Sequence, residues 1–189
     1  MALNLNISNF IQVASQKDFA RNNLFRVLSL NCRGLNLSLD DLVYCKGGAL
    51  PGRNNPTSQV QYHGMKMTYN QSTVEYPGAD DYQLKFYCDA DSALRRKFEE
   101  ASRYVFNDQT NTGNWRFPDV RDNITLVALD FGLNEIEYIT LHGVCFKGID
   151  AVDFMSAEGD GSAIEITARF SFLYYTRAGS DVFYTEQTI

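Results

Sequence analysis

Apolar positions along this chain fall mostly into alternations of period two, the pattern of strands with one face on a core and the other in water. The longest runs from Ala163 to Tyr175. Ile164, Ile166, Ala168, Phe170, Phe172 and Tyr174 share one side, and Glu165, Thr167, Arg169 and Ser171 the other. That is long for a strand of a small domain, and it suits a barrel or a sheet continued in a neighbouring molecule. Further strands are expected at Asn23–Leu30, Val60–Tyr69, Tyr82–Cys88, Asn123–Asp130 and Glu135–Phe146, with a hairpin connection at Gly132–Asn134. In Val60–Tyr69 the phase slips near Gly64, which predicts a bulge there.

One segment has helical spacing instead. Leu94, Phe98, Ala101 and Val105 recur at i, i+4, i+7 and i+11, with Asp91 or Asp89 placed to cap the start. Arg95–Glu99, Arg96–Glu100 and Glu99–Arg103 form opposite-charge pairs on the outer side. A weaker helix is expected over Ser8–Ala14. The four prolines, Pro51, Pro56, Pro77 and Pro118, mark loops, and none lies in a domain linker. The expected fold class is mainly β (α+β): an antiparallel β-barrel or sandwich with one central helix, as a single domain over 1–189, with a lead-in 1–22 and a tail 177–189.

Composition narrows the function classes. With 44% hydrophobic and 13% aromatic residues in a chain of 189, disorder is excluded and one real core is expected. The net charge of −6 argues against wrapping nucleic acid or binding an anionic membrane. The one basic cluster, Arg95–Lys97, is answered by Glu99 and Glu100 a turn later. No window of about 18 apolar residues exists to span a bilayer, and the first residues lack the basic start and apolar run of a secretory leader. Cys32, Cys45, Cys88 and Cys145 form no CxxC pair and read as reduced, mostly buried thiols.

Catalytic signatures are missing. His63 and His142 both lie in strand candidates, and no HExxH, GxSxG or phosphate-loop motif occurs. Spacings among the histidines and cysteines match no zinc rule. The pairs Asp40-Asp41, Asp80-Asp81 and Glu99-Glu100 read as solvated carboxylates, and the Gly78–Asp81 and Gly159–Gly161 segments as turns rather than a calcium loop. No catalytic residue, metal site or cofactor is therefore expected.

Two runs carry a resemblance. Asp18–Leu28 (DFARNNLFRVL) and Cys45–Gly52 (CKGGALPG) are similar to the opening segments of tail tube proteins from contractile-tailed bacteriophages. Ile139–Phe154 resembles the family's strand–Gly–loop–strand unit, Ala163–Tyr175 its long closing strand, and the helix falls where the family has one. The loop Gln109–Pro118, with Trp115, and the tail from Thr176 have no counterpart. The resemblance implies a fold shared with the haemolysin-coregulated protein of type VI secretion. It implies a structural virion protein whose six-membered rings stack head to tail into the inner tube of a contractile tail. The implied partners are further copies of the chain, the sheath, the baseplate tube initiator and the tail terminator. The resemblance also implies that phage DNA passes through the lumen without specific binding, that no membrane is involved, and that assembly takes place in the host cytoplasm.

Site expectations follow from combining this with the residues. Asp18, Arg21 and Asn22 have no core role and are expected at a subunit contact, as are Arg53, Asn54, Asn70, Asp80 and Asp81 in the long polar loops. Residues 119–165 carry a net charge of −8, so Glu135, Glu137 and Glu165 are expected to line a DNA-repelling lumen. The alternatives are a baseplate tube initiator, a type VI secretion tube protein and, from other classes, a ligand-holding barrel or a small enzyme built on one.

Overall fold

The computed structural model describes residues 7, 11, 12, 21–152 and 161–179. Ile7, Ile11 and Gln12 are helical; the rest of the helix expected over Ser8–Ala14, and the tail beyond Gly179, lie outside that range. Strand β1 (Phe25–Asn31) leads to a short helix α1 (Leu39–Val43) and to β2 (Cys45–Gly48). A hairpin of β3 (Thr57–Tyr62) and β4 (Met65–Asn70) follows, then a 3-10 turn (Ala79–Asp81) and β5 (Tyr82–Tyr87). Helix α2 spans Ala93–Val105, and two-residue strands β6 (Phe106–Asn107) and β7 (Thr112–Gly113) follow it. The last strands are β8 (Asn123–Leu129), β9 (Glu135–His142), β10 (Cys145–Ile149), β11 (Glu165–Ser171) and β12 (Tyr174–Gly179).

Two four-stranded antiparallel sheets form a sandwich, one in the order β1-β8-β9-β12 and the other β10-β11-β5-β2. Of the barrel and the sandwich, the sandwich is realised: both sheets have open edges among the described residues. The alternation read from sequence places the core well in β5, where Tyr82, Leu84 and Phe86 are buried, and in β11, where Ile166, Ala168 and Phe170 are. Leu30, Ile124, Leu126, Ile139 and Leu141 supply the facing layer. Helix α2 seals the sandwich with Leu94, Phe98 and Ala101. Phe98 is the hub of an aromatic chain, with ring centroids 5.4 Å from Phe86 and 5.8 Å from Phe146, which itself stands 5.5 Å from Phe170.

Capping explains the helix boundaries. The Asp89 carboxylate accepts from the amides of Ala93 (3.0 Å) and Leu94 (3.2 Å), so Asp89 rather than Asp91 caps α2. Arg95 and Glu99 pair at 3.0 Å as their spacing predicts. Asp40 and Asp41, expected as solvated carboxylates, sit in the first turn of α1. Ser38 and Asp41 close a reciprocal capping box there, and Lys97 joins Asp41 at 2.6 Å, tying α1 to α2.

Three strand expectations need correction. Val60–Tyr69 is not one bulged strand: His63 (φ 46°) and Gly64 (φ 84°) form a two-residue turn that splits it into β3 and β4. Positive φ at both central residues matches the turn to the twist of its strands. Glu135–Phe146 breaks at Gly143 (φ 67°), and Ala163–Tyr175 breaks at Phe172–Leu173. These two breaks coincide. Strands β9 and β12 pair in the first sheet, β10 and β11 in the second, and both chains turn the same corner between them. There the alternation changes phase, so that Tyr175 packs on the core while Leu173 and Tyr174 are exposed.

The Phe98 ring touches both Phe86 and Phe146, so its removal opens a cavity at the joint of helix and sheet. Phe98→Ala is expected to cost about 3–5 kcal/mol of unfolding free energy, measured by urea denaturation.

Candidate functional site

Three surface features stand out beyond the core. The first is the β3–β4 hairpin, whose strands pair only with each other. Its register sets Val60 opposite Met67, Tyr62 opposite Met65 and Ser58 opposite Tyr69 on one side. Gln59 opposite Thr68 and Gln61 opposite Lys66 occupy the other. One face is thus almost wholly apolar, yet Tyr62 is 66% and Met65 70% exposed. The arm is rooted by backbone bonds between Asn54 and Glu75 at 2.8 and 2.9 Å. Along the chain these apolar residues read as one strand; in the fold they belong to two. The slip at Gly64, expected as a bulge, is a turn: the glycine follows a histidine, a residue type that tolerates positive φ.

The second feature is the outward face of the first sheet. Its side chains form polar rows across four strands: Asn31, Asn123, His142 and Tyr174 in one, Ser29, Thr125, Thr140 and Thr176 in the next. Asn31 donates to Asn123 at 3.3 Å, the Thr125 and Thr140 hydroxyls lie 3.4 Å apart, and His142 Nε2 meets Thr176 Oγ1 at 2.8 Å. The His142 ring stacks on Tyr174 with centroids 4.8 Å apart.

The third feature is a groove of about 440 Å³ between β10 and the segment that follows α2. Its walls are Tyr104, Val105, Phe106, Trp115 and Phe117, above Cys32, Val144 and Phe146. Trp115 and Phe117 pack edge to face at 4.9 Å while staying 81% and 76% exposed. Val105, expected in the buried stripe of the helix, opens here instead. Burial pushes the Cys32 thiol up to about 12, leaving it a poor nucleophile. Burial also raises Asp122 at the rim, despite the nearby Arg33. Among the described residues no three His, Cys, Asp or Glu side chains are placed to hold a metal ion.

The expected contact residues occupy separate places. Asp18 lies outside the described residues. Arg21 and Asn22 are exposed just before β1, with the Arg21 guanidinium 5.2 Å above the Phe131 ring. Arg53, Asn54 and Asn70 gather at the root of the arm. Asp80 and Asp81 lie at the head of β5, where Lys147 donates to the Asp80 carbonyl at 2.7 Å. Arg169 bridges Asp81 (2.9 Å) and Asp150 (2.7 Å).

The three acidic positions expected together in a lumen are not brought together. Glu135 shares the outward face of the first sheet with Arg26, its ion-pair partner, and accepts from the Tyr138 hydroxyl. Glu137 falls on the core side of the same sheet, paired with Arg177 at 3.0 Å. Glu165 stands on the outer face of the second sheet, paired with Lys46. These three carboxylates therefore lie on three surfaces, each with a cation beside it.

No protein family profile matches this chain, and no curated protein matches it in sequence. Solved structures match its fold. A chain of the six-fold symmetrised baseplate of the anti-feeding prophage superposes with a TM-score of 0.61 at 12% identity, covering 88% of this chain and 99% of its own. A chain of the anti-feeding prophage tube-terminating cap gives 0.58 at 8% identity, covering 87% and 93%. A chain of the sheath–tube complex of PVC, an extracellular contractile injection system, gives 0.55 at 8% identity, covering 89% and 97%. The chain therefore has a fold found in contractile injection systems, as its resemblance to tail tube proteins implies. Among the described residues no helix is long and apolar enough to cross a membrane.

The Asp81 carboxyl is held below the usual aspartate value by the Gln83 amide and by Arg169. A depressed value in the folded state contributes stability above the unfolded aspartate pKa of about 3.9, lost as pH falls through the folded value. Arg169→Ala is expected to move the Asp81 titration upward, read by carboxyl NMR.

Proposed function

We propose that this protein is a structural subunit of a contractile tail or injection device, and that its copies join edge to edge into rings that stack as a tube. The observation that carries the proposal is the strand order of the first sheet. Its four strands alternate in direction from β1 to β12, and both outer strands have an unpaired edge among the described residues. In a ring, the β1 edge of one copy meets the β12 edge of the next running antiparallel, so the alternation continues across the junction. Closing the ring removes the two open edges of the first sheet, which otherwise invite aggregation.

The polar rows on the outward face suit such a wall. A closed barrel whose inner surface carries hydroxyls, amides and imidazoles holds water and offers little for a passing polymer to adhere to. On this reading Glu135 lies on the wall next to Arg26, Glu165 lies on the far side of the sandwich, and the lining is close to neutral. Six copies per ring, passage of DNA through the channel, and contact with sheath, initiator and terminator proteins follow from the resemblance to phage tail tubes and belong to this proposal. The structural matches include baseplate, cap and tube assemblies, so they favour no single position along the tube. A ligand-holding barrel loses its premise, because the sheets stay open and Phe86, Phe98, Phe146 and Phe170 fill the space between them.

Negative-stain electron microscopy of the purified protein over a concentration series tests the proposal. Rings with a central channel, and stacks of them at higher concentration, are expected. Discrete particles without a channel at every concentration would sink it.

A further inference from the structure

The walls of the aromatic groove are fixed by the fold. Asn114 N donates to the Val105 carbonyl and Asn114 Nδ2 to the Tyr104 carbonyl, each at 2.9 Å. These bonds pin the segment after β7 to the end of α2. A Cβ on Gly113 would stand 3.2 Å from the Phe106 ring, so the segment lies close against that ring. Gly34 (φ 80°) approaches Tyr104 so closely that a Cβ there would come within 2.7 Å of its ring. The rings are thus held in place before anything binds, which lowers the ordering cost of binding.

Size and charge define what fits. The volume of about 440 Å³ falls in the range of small-molecule sites, roughly 300–1,000 Å³. The floor is apolar, with Cys32, Val144 and Phe146 buried. Charge is confined to the rim. Asp119 pairs with Arg33 at 2.8 Å and with Arg121 at 2.7 Å, and Arg33 also stands near Asp122. These two carboxylates and two guanidinium groups offset one another. Arg116, which also borders the groove, has neither a hydrogen bond nor an ion pair among the described residues. The surplus charge of the site is therefore positive, beside a set of apolar rings.

We propose that the groove binds a small amphipathic carboxylate, with its apolar chain among the rings of Phe106, Trp115 and Phe117 and its head on the Arg116 guanidinium. A guanidinium holds a carboxylate by charge-assisted hydrogen bonds, and the rings cover the chain from water. Aromatic faces also attract ammonium ions, but here the uncompensated guanidinium opposes a cation. The site gives a role to the loop Gln109–Pro118 with Trp115, which the tail tube resemblance leaves unexplained. It belongs to a single subunit and does not depend on whether copies form a tube.

Trp115 is the only tryptophan of the chain, so its emission reports on the groove directly. The full-length protein is titrated with sodium dodecanoate below its micelle-forming concentration and, in parallel, with dodecyltrimethylammonium. Calorimetry gives the number of sites. Dodecanoate is expected to move the Trp115 emission to shorter wavelength and to saturate at one ligand per chain, with the ammonium compound at least about tenfold weaker. Arg116→Gln is expected to weaken dodecanoate about tenfold or more, the scale of a lost hydrogen bond to a charged group. Its circular dichroism checks the fold. Tyr62→Glu with Met67→Glu, on the exposed arm, is expected to bind as wild type does. No emission change and no heat with dodecanoate would overturn the proposal. So would equal affinity for the ammonium compound, an Arg116→Gln variant that binds like wild type, or binding lost in the arm variant, which would place the ligand on the arm.

Discussion

The architecture depends on one corner, where two paired strands leave one sheet and enter the other together. Each sheet has an apolar face that must be covered, and the only large apolar surface available is the facing sheet. The chain meets this demand by bending β9 into β10 at Gly143 and β11 into β12 at Leu173. A Cβ on Gly143 would stand 2.6 Å from Leu173 Cδ1, so glycine is required there both for its φ and for the close approach. Backbone bonds hold the bend: Leu173 N donates to the His142 carbonyl at 2.9 Å, Val144 N to Asp122 at 3.0 Å, and Phe172 N to Ala79 at 3.0 Å. No backbone polar group named here is left without a partner as the chain changes sheets.

Other features of the molecule follow from that bend. It brings Phe146 over Phe170 and lets α2 insert Phe98 between Phe86 and Phe146. It turns the rows from Asn31 to Tyr174 and from Ser29 to Thr176 outward as one polar face. It leaves β1 and β12 as the two edges of the first sheet. A single core thus produces a four-stranded sheet with a polar outward face on one side. The arm and the aromatic groove lie outside this arrangement. Their exposed apolar area is a liability unless something covers it. Surfaces of this kind make physical sense in a chain that works as part of an assembly.

Much of this was legible along the chain, and the reason is local. Strands β5 and β11 and helix α2 declare themselves because burial on one face imposes a period, and a period needs only neighbouring residues to be seen. The Asp89 cap and the Arg95–Glu99 pair are local in the same way. The capping box at Ser38 and Asp41 is local too, a Ser-x-x-Asp spacing ahead of Leu42. The hairpin at His63-Gly64 was missed because both its strands are apolar on the same face, so the alternation shifts at the turn and imitates a bulge.

What the sequence determined by itself is therefore the set of elements and which side of each is apolar, since both depend on side-chain chemistry within a few residues. The tertiary structure alone decided which outward sides share a surface. Glu135, Glu137 and Glu165 lie close together in charge statistics but end on three different faces, each beside a cation from a distant strand. The same holds for the groove, where Cys32, Phe106, Trp115 and Phe146 meet only after the sheets have packed. Proximity of this kind is set by how the two sheets cover each other, a constraint that acts on the whole chain at once and leaves no periodic trace in any one segment.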